Sequence, residues 1–298
     1  MQDLSGSEKI GLRYWIQAAR PKTLLVSMSP VLMSIALSSS HVEITWLPAV
    51  ICFVFALLAQ VASNYINDYS DGVKGSDAHR LGPQRMVASG LIPPKKMLRA
   101  TLIVLALSFS LGCSLLFWGG WVLLPFGLLI LLCALAYSWG PFPLSYHALG
   151  DVAVILFYGV APVTLTFFIQ TGFVDYHIII AGFAIGAVVD NLLIVNNYRD
   201  YCQDKANGKK TTVILFGRKF MRMVYLLNPF VAVLLGLCFI DRPYYLWLLA
   251  SIPFLVYSVS VYRKFVKAEG AEFNKLIGLS SLESLFFSVT VILVLIMF

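Results

Sequence analysis

Long apolar runs alternate with short polar stretches along the whole chain, and the runs match the thickness of a bilayer. A helix needs roughly 20 apolar residues to cross a hydrocarbon core of about 30 Å. Nine runs reach that scale, near 23–40, 46–66, 98–117, 121–139, 152–170, 177–197, 223–240, 244–261 and 279–298. The pattern predicts an all-α fold, a multi-pass transmembrane bundle of about nine helices forming a single domain over residues 1–298. A polar N-terminal segment, residues 1–20, leads into it.

Composition agrees. Of 298 residues, 59% are hydrophobic and 12% charged, where a soluble domain carries about 25% charged residues. Asp3 and Glu8 sit in the first 22 residues with no short apolar region before a small-residue cleavage site, so no removable signal peptide is expected. The five cysteines, Cys52, Cys113, Cys133, Cys202 and Cys238, lack the paired spacing of a zinc site or a disulfide framework and read as packing residues. The four histidines are isolated as well, which argues against a histidine-held transition metal.

Nine spans fix which loops share a face. Of the 22 Lys and Arg residues, all but Arg242 fall in the N-terminal segment and the second, sixth and eighth loops. The positive-inside rule makes that face cytoplasmic, with the N-terminus inside and the C-terminus outside. The net charge of +7 is then accounted for by topology and anionic lipid headgroups, and a nucleic-acid partner is not expected.

Against this background the acidic residues cluster. Only fifteen exist, yet five lie in two groups on the basic face, NYINDYSDGVKGSD from Asn64 and NNYRDYCQD from Asn196, each closing an even-numbered span. Residues four apart share a helix face. Asn67 therefore sits beside Asp71, Asn64 beside Asp68, and Asn196, Asp200 and Asp204 form one stripe. Like charges so placed cost a few tenths of a kcal/mol each, and carboxylates deeper in lipid cost roughly 2.5 to 3.5 kcal/mol. A bound cation offsets both. Oxygen ligands on one or two carboxylates, completed by substrate phosphates, are what Mg2+ prefers. Asn67 and Asn196 are 129 residues apart, so a shift of four helices superposes the motifs as an internal pseudo-repeat. Two facing stripes would hold two metal ions across a diphosphate, with Arg80, Arg85, Lys209 and Lys210 on its remaining oxygens.

With RPKTLLVSMSPV from Arg20, NDYSDGVKGSD from Asn67, RLGPQRMVASG from Arg80, YSWGPFPLSYHALGD from Tyr137 and NNYRDYCQDKANGKKT from Asn196, the chain resembles the UbiA superfamily of membrane prenyltransferases. Within it, the 1,4-dihydroxy-2-naphthoate branch of menaquinone synthesis fits best. The general motif is Asn-x3-Asp-x3-Asp, whereas here Asp77 follows Asp71 by six residues with Gly75 between, a spacing that resembles this branch rather than the 4-hydroxybenzoate one. The resemblance implies a UbiA-like bundle with a lateral, lipid-facing opening in a bacterial inner membrane. It implies metal and diphosphate roles for Asn67, Asp71, Asp77, Asn196, Asp200 and Asp204, with Asp68 as an additional motif acid and Mg2+ as cofactor. The implied substrates are a polyprenyl diphosphate and 1,4-dihydroxy-2-naphthoate, and the implied product forms with loss of CO2.

Acceptor contacts are expected from Tyr137, Tyr146 and Asp151 in the fourth loop, with Arg20 and Lys22 attracting an acidic substrate. Plainer roles exist for each: interfacial tyrosines, a helix N-cap at Asp151, and basic residues that orient the first span. Asp190 lies inside the sixth span and reads as structural, while Glu283 in the last span has no assigned role. The rival readings are prenyl transfer to another acceptor, such as 4-hydroxybenzoate or homogentisate, and a transporter. Transporter sites usually lie near the midplane at broken helices, whereas both motifs sit at one face.

Overall fold

The computed structural model describes residues 10–74 and 82–297. Among the described residues regular structure is helical, and the one β-type bridge joins His147 to Lys210. The first half contains α1 (Leu12–Ala19), α2 (Pro21–Ser39), α3 (Trp46–Lys74), α4 (Pro94–Ser114), α5 (Leu116–Gly119) and α6 (Leu123–Ala136). The second contains α7 (Gly150–Ile155), α8 (Ala161–Thr171), α9 (Tyr176–Arg199), α10 (Tyr201–Ala206), α11 (Thr212–Phe216), α12 (Arg218–Phe239), α13 (Tyr244–Lys267) and α14 (Phe273–Met297).

Eight of these helical stretches are long and apolar enough to span a bilayer. The ninth expected span corresponds to α6, whose 14 residues reach only about 21 Å at 1.5 Å per residue. Its shortness has a local cause: Gly120 turns at φ 71 before it, and Gly140 at φ 102 follows it. Both conformations suit glycine and end helices.

Burial ranks the spans. In α9, 72% of the apolar stretch is enclosed, against 17% in the α4–α5 stretch. α9 is therefore the central post, packed on α12, α14, α7 and α8, while α4 stands at the lipid-facing edge against α3. Each motif helix, α3 and α9, packs on the helix before it and the next long helix after it.

Inside lipid there is little hydrophobic force between helices, so small residues and polar contacts set the packing. A Cβ built on Gly159 would lie 2.6 Å from the Gly186 Cα, so the π-helical turn Leu156–Val160 meets α9 backbone to backbone. Ser34 donates to the Val163 carbonyl at 2.7 Å and Ser288 to that of Ser29 at 2.9 Å, joining α2 to α8 and α14. Glu283, fully buried, accepts from Asn191 and from the Tyr225 hydroxyl, each at 3.4 Å. Asn228 donates in turn to Asn191 at 3.0 Å. This network ties α9, α12 and α14 and gives Glu283 a structural setting.

Candidate active site at the ends of the two motif helices

α3 runs eight residues past the apolar window that ends at 66, so Asn64, Asn67, Asp68 and Asp71 are all helical. Tyr65 and Ile66, the last residues of the apolar window, are buried, as are Asp68 and Asp71 beyond it. The second motif departs from the expected stripe. α9 stops at Arg199, Asp200 takes a non-helical conformation at φ −88 and ψ 5, and α10 starts at Tyr201. Register survives the break, since Asp200 N–H donates to the Asn196 carbonyl at 3.1 Å and Asp204 N–H to that of Asp200 at 2.8 Å.

The two motifs meet. Asn67, Asp71 and Arg85 from the first half face Asn196, Asp200, Asp204 and Lys209 from the second around a polar cavity of ≈ 50 Å³. Every acidic or amide group there offers an oxygen ligand, and among the described residues no His or Cys lines it. Among the described residues no three His, Cys, Asp or Glu side chains gather closely enough to hold a metal by themselves. A hard cation completed by substrate oxygens fits such a divided set, whereas a closed protein cage does not.

The basic residues are anchored. Arg85 donates to Asn67 at 3.0 Å and to Asp71 at 2.5 Å. Lys209 pairs with Asp204 at 3.1 Å and lies over the Tyr146 ring, 5.0 Å from its centroid. Burial alone lowers the Lys209 pKa, but Asp71 and Asp204 outweigh it and hold the ammonium above its ordinary range. It stays charged at any physiological pH.

Four expected site residues stand elsewhere. Asp68 accepts the backbone N–H groups of Met86 and Val87 at 3.0 and 2.8 Å, which fastens the segment carrying Arg85 rather than facing the cavity. Lys210 is exposed and uses its backbone N–H on the Tyr146 carbonyl. Asp151 is not an N-cap: it lies in the first turn of α7, whose N-cap is Leu149, and takes the Thr212 hydroxyl at 2.9 Å. Tyr146 supports Lys209 from outside the cavity. Asp77 and Arg80 lie outside the described residues.

Two further cavities adjoin. A wide one of ≈ 430 Å³ is lined by Arg20, Lys22, Asn67, Asn196, Tyr158 and Val189 among others. An apolar one of ≈ 120 Å³ lies among α2, α3, α6 and α8 and includes Phe55, Gly112, Gly127 and Ile169. Tyr137 lines all three cavities. A small cavity of ≈ 20 Å³ shares Phe55, Gly112 and Gly127 with the apolar one and is also lined by the exposed Phe109 and Leu128.

A model of the UbiA prenyltransferase family matches residues 27–289. The chain belongs to the UbiA prenyltransferase family. Relatives named 1,4-dihydroxy-2-naphthoate octaprenyltransferase include that of Haemophilus influenzae, 31% identical over 84% of this chain and 86% of its own length. That of Escherichia coli is 34% identical over 68% of each. Among solved structures, a UbiA homolog from Aeropyrum pernix K1 has a TM-score of 0.71 at 14% identity, covering 92% of this chain and 98% of that one. One from Archaeoglobus fulgidus, bound to DMAPP and Mg2+, gives 0.66 at 16% identity, covering 95% and 99%. These likenesses establish the UbiA fold for a membrane prenyltransferase.

One residue to which the sequence assigned no site role stands beside the second motif, at the wall of the wide cavity. Arg199 is buried, and its guanidinium donates to both Asp200 oxygens at 2.7 and 2.6 Å, to Asn196 at 2.8 Å and to Asn274 at 3.0 Å. Its place three residues after Asn196, on the same helix face, was the available signal; counting it as a topological charge concealed it. Gln203, Asn207, Ser145 and Thr211 line the polar cavity; they lie within the stretches quoted from Tyr137 and Asn196, but had no expected role.

Proposed function

We propose that the protein transfers a polyprenyl group from its diphosphate to 1,4-dihydroxy-2-naphthoate, releasing diphosphate and CO2. The observation that carries this reading is the convergence of both Asn/Asp motifs on one polar cavity that adjoins a wide cavity and an apolar one. The relatives' names support the acceptor, and the homolog bound to DMAPP and Mg2+ supports the metal and the diphosphate.

Asn67, Asp71, Asn196, Asp200 and Asp204 would hold Mg2+, with Asp77 as a further ligand in the family pattern. Bound there, Mg2+ would neutralise the negative charge that develops on the departing diphosphate. Arg85, Arg199 and Lys209 bind its remaining oxygens, with Arg80 as a further contact. The C–O bond to the allylic carbon breaks at the border between polar and apolar walls, where Tyr137 stands. The tail lies in the apolar cavity and leaves toward lipid past Gly112 and Gly127. Arg20 and Lys22 orient the acceptor carboxylate in the wide cavity. Apolar walls keep water from the allylic cation until the ring carbon attacks. Attack at the carbon bearing the carboxylate lets CO2 depart with its bonding pair left in the ring, so no base need remove a ring proton.

The basic loops make the motif end of the bundle cytoplasmic, in a bacterial plasma membrane. To test substrate choice, purified protein is incubated with Mg2+, a panel of aromatic acids and prenyl diphosphates of several lengths, and products are identified by mass spectrometry. Prenylated, decarboxylated naphthoate is expected, abolished by chelation. Efficient turnover of 4-hydroxybenzoate with none of the naphthoate would refute the acceptor.

A further inference from the structure

Each motif carries an arginine bridge. Arg85 joins Asn67 to Asp71, and Arg199 joins Asn196 to Asp200, each spanning an asparagine and the aspartate four residues on. The side chains of Arg85 and Arg199 are 4% and 0% exposed. The two arginines reach these matched positions from unmatched places in the chain. Arg85 comes from the segment that follows α3, fourteen residues beyond Asp71, whereas Arg199 is the last residue of the motif helix itself. Repetition of one sequence motif does not explain that; a shared electrostatic need does. A buried carboxylate without a countercharge is costly.

The acceptor oxygens in these bridges belong to the side chains the metal would use. An oxygen directed at a guanidinium N–H near 2.6 Å cannot turn the same lone pair to a cation, and a guanidinium beside a dication is repelled. Bridge and metal therefore compete at each motif. A displaced guanidinium needs another planar, anionic partner, and the fork that spans an Asn/Asp pair also matches two diphosphate oxygens.

We propose that Arg85 and Arg199 are exchangeable counter-ions. Each neutralises its motif in the metal-free protein, and each transfers its guanidinium to the diphosphate when metal and diphosphate enter together. This rests on the metal–diphosphate reading above. Its consequence is that metal alone binds weakly, because the guanidinium that the cation repels then has no diphosphate to pair with.

The probe is Mn2+, titrated into the purified full-length chain and followed by its electron paramagnetic resonance signal, without diphosphate. Arg85→Gln and Arg199→Gln are each expected to bind Mn2+ about tenfold tighter or more than the unaltered protein, the scale of one charge-assisted contact removed from the carboxylate. At saturating Mn2+, both should bind the unreactive analogue geranyl thiodiphosphate about tenfold more weakly, the opposite sign. Equal or weaker Mn2+ binding in both variants would overturn the exchange and leave the arginines as structural clamps. Should Arg199→Gln fail to fold, Arg85→Gln decides the question from a different segment. Absence of Mn2+-dependent binding of the analogue to the unaltered protein would instead refute the underlying metal–diphosphate reading.

Discussion

Among the described motif aspartates, Asp71, Asp200 and Asp204 line the polar cavity and Asp68 does not. Asp71→Asn and Asp200→Asn keep the side-chain shape and remove a charge where diphosphate charge must be balanced. Each is expected to lower turnover by at least about a hundredfold; the melting midpoint in detergent also falls, because the paired Arg85 or Arg199 loses its countercharge, while gel filtration still shows a folded protein. Near-normal turnover at limiting Mg2+ would remove that residue from the metal site. Asp68→Asn should behave differently. Its carboxylate accepts two backbone N–H groups, and an amide presents only one oxygen to them. A loss of stability of about 1–3 kcal/mol is expected, read as a lower denaturation midpoint. Asp68 is also where the sequence was least legible. Four-residue spacing puts it on the helix but cannot say that the following segment folds back over it. Arg199 was hidden for the converse reason, because a basic residue at the end of a span already had a topological explanation.

Helix periodicity and hydrophobic length located the long elements well, since both follow from the local chain. What escaped them depends on contacts between elements. α3 outlasts its apolar window because the 82–92 segment covers its end, and Gly72 permits the cover to sit closely. A Cβ at position 72 would lie 2.5 Å from Val87 Cγ1 and 3.0 Å from the Ala88 backbone nitrogen. Gly72→Ala is therefore expected to cost about 1–3 kcal/mol by overpacking, seen as a lower midpoint. It should also raise the KM for prenyl diphosphate more than it lowers kcat, because the same segment positions Arg85. An unchanged KM would show that the segment tolerates the shift without moving Arg85. The break at Asp200 was equally illegible: Asn196, Asp200 and Asp204 keep their vertical alignment across it, so their spacing looks like that of an uninterrupted helix.

For the molecule as a whole, the proposed orientation rests on the distribution of basic loops and on the meeting of both motifs at one end. Tags in the second, sixth and eighth loops are expected to be shielded in intact cells from an impermeant labelling reagent, while a tag after Phe298 is labelled; a shielded C-terminus would mean an even number of crossings. That outcome would bear directly on α6, whose short helix decides whether the count is odd. The chemistry depends on the joining of a polar cavity to apolar ones around Tyr137, a property no single element possesses. Its central claim is transfer to the naphthoate carbon that bears the carboxylate. The most direct measurement supplies 1,4-dihydroxy-2-naphthoate labelled only at the carboxyl carbon, with Mg2+ and a prenyl diphosphate, and counts labelled CO2 against prenylated product. One labelled CO2 per product molecule is expected, and prenylated product that retains the label would contradict the account.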